Sequence, residues 1–82
     1  MKYEGKDNYG KPKASYLELI AKMTDPELQK ECESKIWLSA YANNNPRSDF
    51  HWHVDACYDE CIKRNKPDIY KNAYEKVEAS IH

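Results

Sequence analysis

The 82-residue sequence has only two glycines, a single phenylalanine and no long run of apolar residues. The longest nearly apolar stretch, residues 36–42, is far too short to cross a membrane. The first residues carry charges where a secretory signal would have an apolar segment. We therefore expect a cytoplasmic protein that makes no use of a membrane.

An excess of charge of either sign is also lacking. Thirteen basic and fourteen acidic side chains give a formal net charge of -1. A nearly neutral protein has no overall field that would draw it onto nucleic acid or an anionic membrane. Any contact with nucleic acid must therefore come from a local basic patch.

The three cysteines are an odd number, which does not suit the fully paired disulfide framework of a small secreted protein. Free thiols in a reducing compartment fit this number better, in agreement with a cytoplasmic location. No nucleophile motif surrounds any of the cysteines. We predict that the protein has no catalytic residues and is not an enzyme.

Helix start and stop signals predict an all-α fold, a small bundle of about four helices at roughly residues 15–22, 25–43, 48–64 and 67–81. Residues 1–14 contain both glycines and lack an apolar repeat, so they are predicted to form a flexible arm before a helical domain of residues 15–82. No segment alternates in the manner of a β-strand. The start signals are two capping boxes, a serine cap and a proline: Ser15 with Glu18, Thr24 with Glu27, Ser48, and Pro67.

Residues 50–61 contain two histidines and two cysteines and are the only stretch with the residue types of a chemical site. Cys57 and Cys61 share the core arc of the third helix, and antiparallel pairing with the second helix brings Cys32 level with them. One interpretation is a cluster of buried thiols, because cysteine often behaves as a small apolar residue. The alternative is a zinc site formed by these three thiols and His53. Because the two-residue spacing of a zinc knuckle is missing, we expect no metal and no other cofactor.

Three aromatic residues are candidates for binding a partner. Trp52 is predicted to lie on the polar side of the third helix, where an exposed tryptophan would be suited to an interface; packing under the N-terminal arm is the alternative. Trp37 and Tyr41 lie on an extra apolar face of the second helix. Burial against the short first helix is the alternative interpretation for this pair.

Four basic residues are of the type that contacts the phosphates of nucleic acid. Lys63, Arg64 and Lys66 lie close together in sequence at the end of the third helix, and Arg47 lies before its other end. Cations at the C-terminal end of a helix are favoured by its dipole without any ligand. A sequence-specific DNA-binding motif is missing from the sequence.

The segment of residues 35–61, KIWLSAYANNNPRSDFHWHVDACYDEC, resembles small bacteriophage-encoded helical proteins of unassigned function. The resemblance implies an accessory protein that binds and blocks or redirects a host or phage protein in the cytoplasm of the host cell. Anti-CRISPR and other counter-defence inhibitors belong to this class.

Three hypotheses of function follow, in order of preference. The first is an accessory protein that works by protein–protein interaction, forms a homo-oligomer, and inhibits a host defence or other host protein. The second is a small module that binds nucleic acid or a nucleotide through the four basic residues. The third is a helical domain stabilised by zinc.

Overall fold

A computed structural model describes residues 3–81, and of Ile81 only the backbone. Helix α1 spans Lys13–Ala21, α2 spans Asp25–Tyr41, α3 spans Asp49–Lys63 and α4 spans Pro67–Ile81. Within residues 3–81 there is no β-strand, and none of the helices is long and apolar enough to cross a lipid bilayer. The predicted all-α bundle is confirmed, with every helix end within two residues of its predicted position.

Local side-chain signals set most of the helix ends. The predicted capping box at the start of α2 is present: Thr24 accepts a hydrogen bond from the Glu27 backbone at 3.4 Å, and the Glu27 carboxylate accepts one from the Thr24 backbone at 2.8 Å. The Ser48 hydroxyl accepts from the Phe50 backbone at the start of α3. Asn65 adopts a left-handed conformation, with φ of 58°, directly after α3 ends.

The start of α1 differs from the prediction. The helix begins at Lys13, two residues before the predicted range, and Ser15 forms no side-chain cap. Pro12 occupies the capping position, where its carbonyl accepts the Ser15 N–H at 3.1 Å. Proline suits the entrance of a helix because its φ is fixed and it has no N–H to satisfy. The first turn therefore forms directly after Pro12, and the predicted Ser15 capping box is wrong.

Helix α2 lies at the centre of the packing, in contact with both α3 and α4, while α1 packs mainly on α3. Because α3 runs back along α2 and α4 returns again, α2 and α4 are parallel to each other. The molecule is flat, with extents of 33 × 31 × 17 Å. Its buried core consists of small and aliphatic side chains from all four helices: Ile20, Leu28, Cys32, Ile36, Ala56, Cys57, Cys61, Ile69, Ala73 and Val77.

The part of the N-terminal arm that precedes α1 lies against α3. The Tyr3 hydroxyl donates a hydrogen bond to the carboxylate of Asp59, and Asn8 contacts the start of α3. Residues 13 and 14, assigned to the arm by prediction, belong to α1. Residues 1 and 2 of the predicted arm lie outside the described residues. The flexibility of the arm stays a prediction.

Arg64, at the end of α3, joins three helices through its guanidinium group. Its Nε atom donates to the Glu60 carboxylate at 2.7 Å, and its Nη1 atom donates to Asp25 at the start of α2 at 3.0 Å. Its Nη2 atom donates to the carbonyl of Ile20 at 2.9 Å, near the end of α1. The side chain is only 16% exposed. Arg64 therefore links α1, α2 and α3, and its guanidinium donors are used within the fold. That Arg64 binds a partner stays a prediction.

Replacement of Arg64 by Met should lower the free energy of unfolding by about 1.5–3 kcal/mol, because two carboxylates and a helix-end carbonyl lose a charged donor. Urea unfolding followed by circular dichroism measures this change. The matched control is Lys63→Met, at the exposed neighbouring position, which should change stability by no more than about 0.5 kcal/mol. Equal effects of the two substitutions would show that the contacts of the Arg64 guanidinium contribute nothing to stability.

Candidate functional site

Trp37 and Tyr41 form an aromatic pair on the surface of α2. They are four residues apart, so their side chains lie one above the other on the same helix face. Their ring centroids are 5.3 Å apart and the ring planes differ by 11°. Trp37 is 44% exposed and Tyr41 is 80% exposed. Burial of this pair against the first helix, the alternative interpretation, is excluded by this exposure.

An open groove of about 390 Å³ lies beside this pair and is lined by Trp37, Ala40, Tyr41 and Ser80. It forms where the C-terminal ends of α2 and α4 run side by side. Since α1 packs on α3, it does not cover this end of α2. We call these four residues the aromatic groove.

The aromatic groove has a charged border along α2 and α4. A neighbouring depression, which also includes Trp37 and Ser80, is lined by Lys30, Glu33 and Lys76. The Lys76 ammonium lies 3.6 Å from the Glu33 carboxylate. An apolar centre with a polar rim is the usual composition of a protein-binding surface.

Ala40 and Ser80 were not predicted as part of a site. Both side chains are small, so they leave open space beside the two aromatic rings. Ala40 is three residues after Trp37 on α2, so the helical repeat alone places it on the same face. Ser80 belongs to another helix, and only the parallel packing of α2 and α4 brings it to the groove.

Trp52 is partly buried under the arm and α1. Its indole Nε1 donates a hydrogen bond to Asp49 at 2.9 Å. Its ring meets the edge of the Tyr16 ring at a centroid distance of 5.5 Å and lies 6.2 Å from the Tyr3 ring. The Lys13 ammonium lies 5.1 Å from the centre of the indole ring. The expected exposure of Trp52 on a polar face is wrong, because residues distant in sequence pack over it.

The four predicted basic residues do not form one patch. Arg64 is held inside the fold, and Lys66 forms an ion pair with Asp25. Hydrogen bonds from Lys66 and Arg64 hold the pKa of the Asp25 carboxyl below its usual value. Lys63 and Arg47 are exposed at opposite ends of α3, which are roughly 22 Å apart for a helix of this length.

The three thiols lie together in the core between α2 and α3, as predicted. Cys32, Cys57 and Cys61 are free and fully buried, and the sulfur atoms of Cys32 and Cys61 are 3.9 Å apart. The Tyr16 hydroxyl lies 3.3 Å from the Cys57 sulfur and donates to the Glu31 carboxylate at 2.6 Å.

Burial and hydrogen bonding shift the pKa values of the three thiols. The hydrogen bond with Cys57 and burial raise the pKa of Cys32. Burial also raises the pKa of Cys61. The hydrogen bond with Cys32 lowers the pKa of Cys57, against the raising effect of burial. The three sulfur atoms therefore pack as a cluster of buried thiols within the core.

His53, the fourth ligand of the hypothetical zinc site, lies within an aromatic stack. Its ring is 4.2 Å from the Tyr16 ring and 4.3 Å from the Trp52 ring, and its buried Nδ1 atom has no hydrogen-bond partner. Among residues 3–81, no three His, Cys, Asp or Glu side chains are arranged to hold a metal ion. That the protein binds no metal stays a prediction.

No protein-family model, curated protein or solved structure matches this chain. The resemblance of residues 35–61 to small phage proteins is neither supported nor contradicted, so a phage origin stays a prediction.

Stability should fall as the pH decreases from about 7 to about 5, because of His53. Burial and the nearby charge of Lys35 lower its pKa from the ordinary value of 6.5, against the smaller raising effects of Asp49, Glu31 and Asp7. The folded protein therefore favours neutral His53, and its stabilisation is complete above the unfolded pKa and lost as the pH falls through the lower folded pKa.

Thermal melting at a series of pH values measures this effect, with His53→Phe as the matched variant because it keeps an aromatic ring in the stack. The variant should lose the slope between pH ~7 and ~5 and keep the slope at lower pH that comes from carboxylates. An unchanged slope in the variant would assign the pH dependence to other groups.

Addition of EDTA should leave the melting temperature unchanged if Cys32, Cys57 and Cys61 serve as apolar side chains of the core, where all three are buried. Elemental analysis of the purified protein provides the second measurement. Stoichiometric zinc, together with unfolding by the chelator, would establish the zinc-stabilised domain instead.

Proposed function

We propose that the protein acts by protein–protein interaction and that the aromatic groove is its binding surface. The observation that carries this proposal is the exposed stack of Trp37 and Tyr41. Single exposed apolar side chains are ordinary on protein surfaces. Two large rings stacked together beside an open groove form a continuous apolar patch, which is typical of a binding surface.

The energetics of the aromatic pair favour a partner. Tryptophan and tyrosine are the residue types that most often dominate the free energy of binding at protein interfaces. Because the two rings already support each other on a helix, little side-chain freedom remains to be lost when a partner covers them.

A protein partner suits the aromatic groove better than a small polar ligand. Binding sites for small molecules place several polar groups so that they converge on the ligand. The Ser80 hydroxyl already donates to the Lys76 carbonyl at 3.0 Å, so it is engaged within α4. The Tyr41 hydroxyl and the charged border are the polar groups that can orient an apolar side chain or helix of a partner.

The partner that we propose is a host or phage protein in the cytoplasm, and the action is inhibition, as in anti-CRISPR or other counter-defence proteins. This finer proposal is supported by the resemblance of residues 35–61, the segment that also contains Trp37 and Tyr41. Binding without catalysis is part of the proposal. Self-association through the same groove is the alternative use of this surface, and it agrees with the expected homo-oligomer.

The double substitution Trp37→Ser with Tyr41→Ser should weaken partner binding by about 2 kcal/mol or more, roughly thirtyfold, because it removes both rings of the binding surface. A photo-reactive amino acid at position 41 identifies the protein that contacts the groove, and calorimetry with that purified protein gives the affinity. Light scattering of the isolated protein measures self-association in the same variants.

Tyr74→Ser is the matched control, because Tyr74 is a half-exposed tyrosine on α4 outside the aromatic groove. It should leave both partner binding and self-association unchanged. Equal binding by the double variant and the wild type would contradict the proposal, and so would a loss of binding in the Tyr74 variant alone.

A further inference from the structure

The arm that precedes α1 closes into a compact loop. The Asp7 N–H donates to the Lys11 carbonyl at 2.8 Å, and the Lys13 N–H donates to the Gly5 carbonyl at 3.1 Å. Gly5 and Gly10 both adopt a φ of +82°, a conformation that glycine accepts without strain. The loop therefore closes on itself and ends at Lys13, the first residue of α1.

Asn8 fixes this loop to the segment before α3. Its backbone N–H lies 3.1 and 3.2 Å from the two carboxylate oxygens of Asp49, the first residue of α3. Its side-chain Nδ2 donates to the backbone carbonyl of Arg47 at 2.8 Å. The loop and the entrance of α3 thus become the two walls of one site.

A polar pocket of about 370 Å³ lies between these walls, in the lower part of the size range of small-ligand sites. Its lining includes cations from three separate segments: Lys6 from the arm, Lys13 from α1 and Arg47 from the turn before α3. Asp49 and Asp55 are the carboxylates of the lining, and Trp52 forms part of the wall. We call this site the arm pocket.

The balance of charge in the arm pocket favours an anion. The Asp49 carboxylate accepts hydrogen bonds from the Asn8 backbone and from the Trp52 indole, so its oxygen atoms are already engaged within the fold. Asp55 is the remaining acidic group. Over the part of the chain that the structure describes, neither Lys6 nor Arg47 belongs to an ion pair. Three cations therefore face two carboxylates, which leaves the lining of the arm pocket with a net positive charge.

We propose that the arm pocket binds the phosphate group of a nucleotide, either free or within single-stranded nucleic acid. The Arg47 guanidinium can hold two phosphate oxygens at once, and Lys6 and Lys13 supply further positive charge. Tyr9 follows Asn8 in the loop and is 87% exposed, so an aromatic ring that can stack on a base stands next to the pocket wall. The site is separate from the aromatic groove and shares no residue with it.

Calorimetric titration and ¹⁵N NMR of the wild-type protein test this proposal with three probes: inorganic phosphate, adenosine monophosphate and a short oligothymidylate. Saturable binding should shift the signals of Lys6, Asn8 and the Trp52 indole. Binding of phosphate and the mononucleotide assigns a site for a free nucleotide. Binding of the oligothymidylate alone, with a strong dependence on salt, assigns the phosphate of a single strand.

Arg47→Gln and Lys6→Gln should each weaken binding about tenfold, the loss expected for one charge-assisted hydrogen bond. Neither substitution removes the loop anchor, because Asn8 binds the main-chain carbonyl of residue 47. Lys71→Gln, at an exposed lysine on α4, is the matched control and should bind as the wild type does. Melting curves confirm that each variant is folded.

Two results would overturn the assignment. One is the lack of saturable binding by all three probes at millimolar concentration. The other is binding that the Arg47 and Lys71 variants weaken equally, which would show attraction to positive charge in general. Both results leave the protein-binding role of the aromatic groove untouched, since that role is measured with different variants and a different ligand.

Discussion

Burial of one stripe of α2 between α3 and α4 is the constraint on which the other features of this fold depend. Leu28, Cys32 and Ile36 are the buried residues of that helix, and α3 and α4 must both approach closely to cover them. The small cysteine side chains at the contact of α2 and α3 permit this approach. The covering helices leave the C-terminal end of α2 open, and the aromatic groove is the surface that results.

Arg64 connects three helices at one end of the molecule, independently of the burial of α2. The carbonyl of Ile20 at the end of α1 and the Asp25 carboxylate at the start of α2 both need a donor, and one guanidinium supplies both. A planar group with several donors suits this geometry better than the single ammonium of lysine. Because the net stability of a domain this small is only a few kcal/mol, a junction of this kind is expected to contribute a noticeable share of it.

Local features of the sequence were sufficient for the helices and insufficient for the environment of single side chains. The caps at Thr24 and Ser48 act within three residues, so the sequence specifies them fully. The proximity of Cys32 to the thiols of α3 could be predicted because it follows from the antiparallel pairing of α2 with α3. The surroundings of Trp52 and Arg64 depend on Tyr3 and Ile20, which lie more than forty positions away in sequence. Helical periodicity gives the direction of a side chain relative to its own helix and carries no information about what a distant segment places over it.

The shortest dimension of the molecule, 17 Å, is less than two helix diameters. Its accessible surface of 5846 Å² exceeds the roughly 5100 Å² expected for a folded monomer of this mass. A molecule this thin has little interior for its size, because nearly all of its residues lie close to one of its two broad faces. Binding of another macromolecule to one broad face would bury apolar surface there. A thicker domain buries such surface with its own residues.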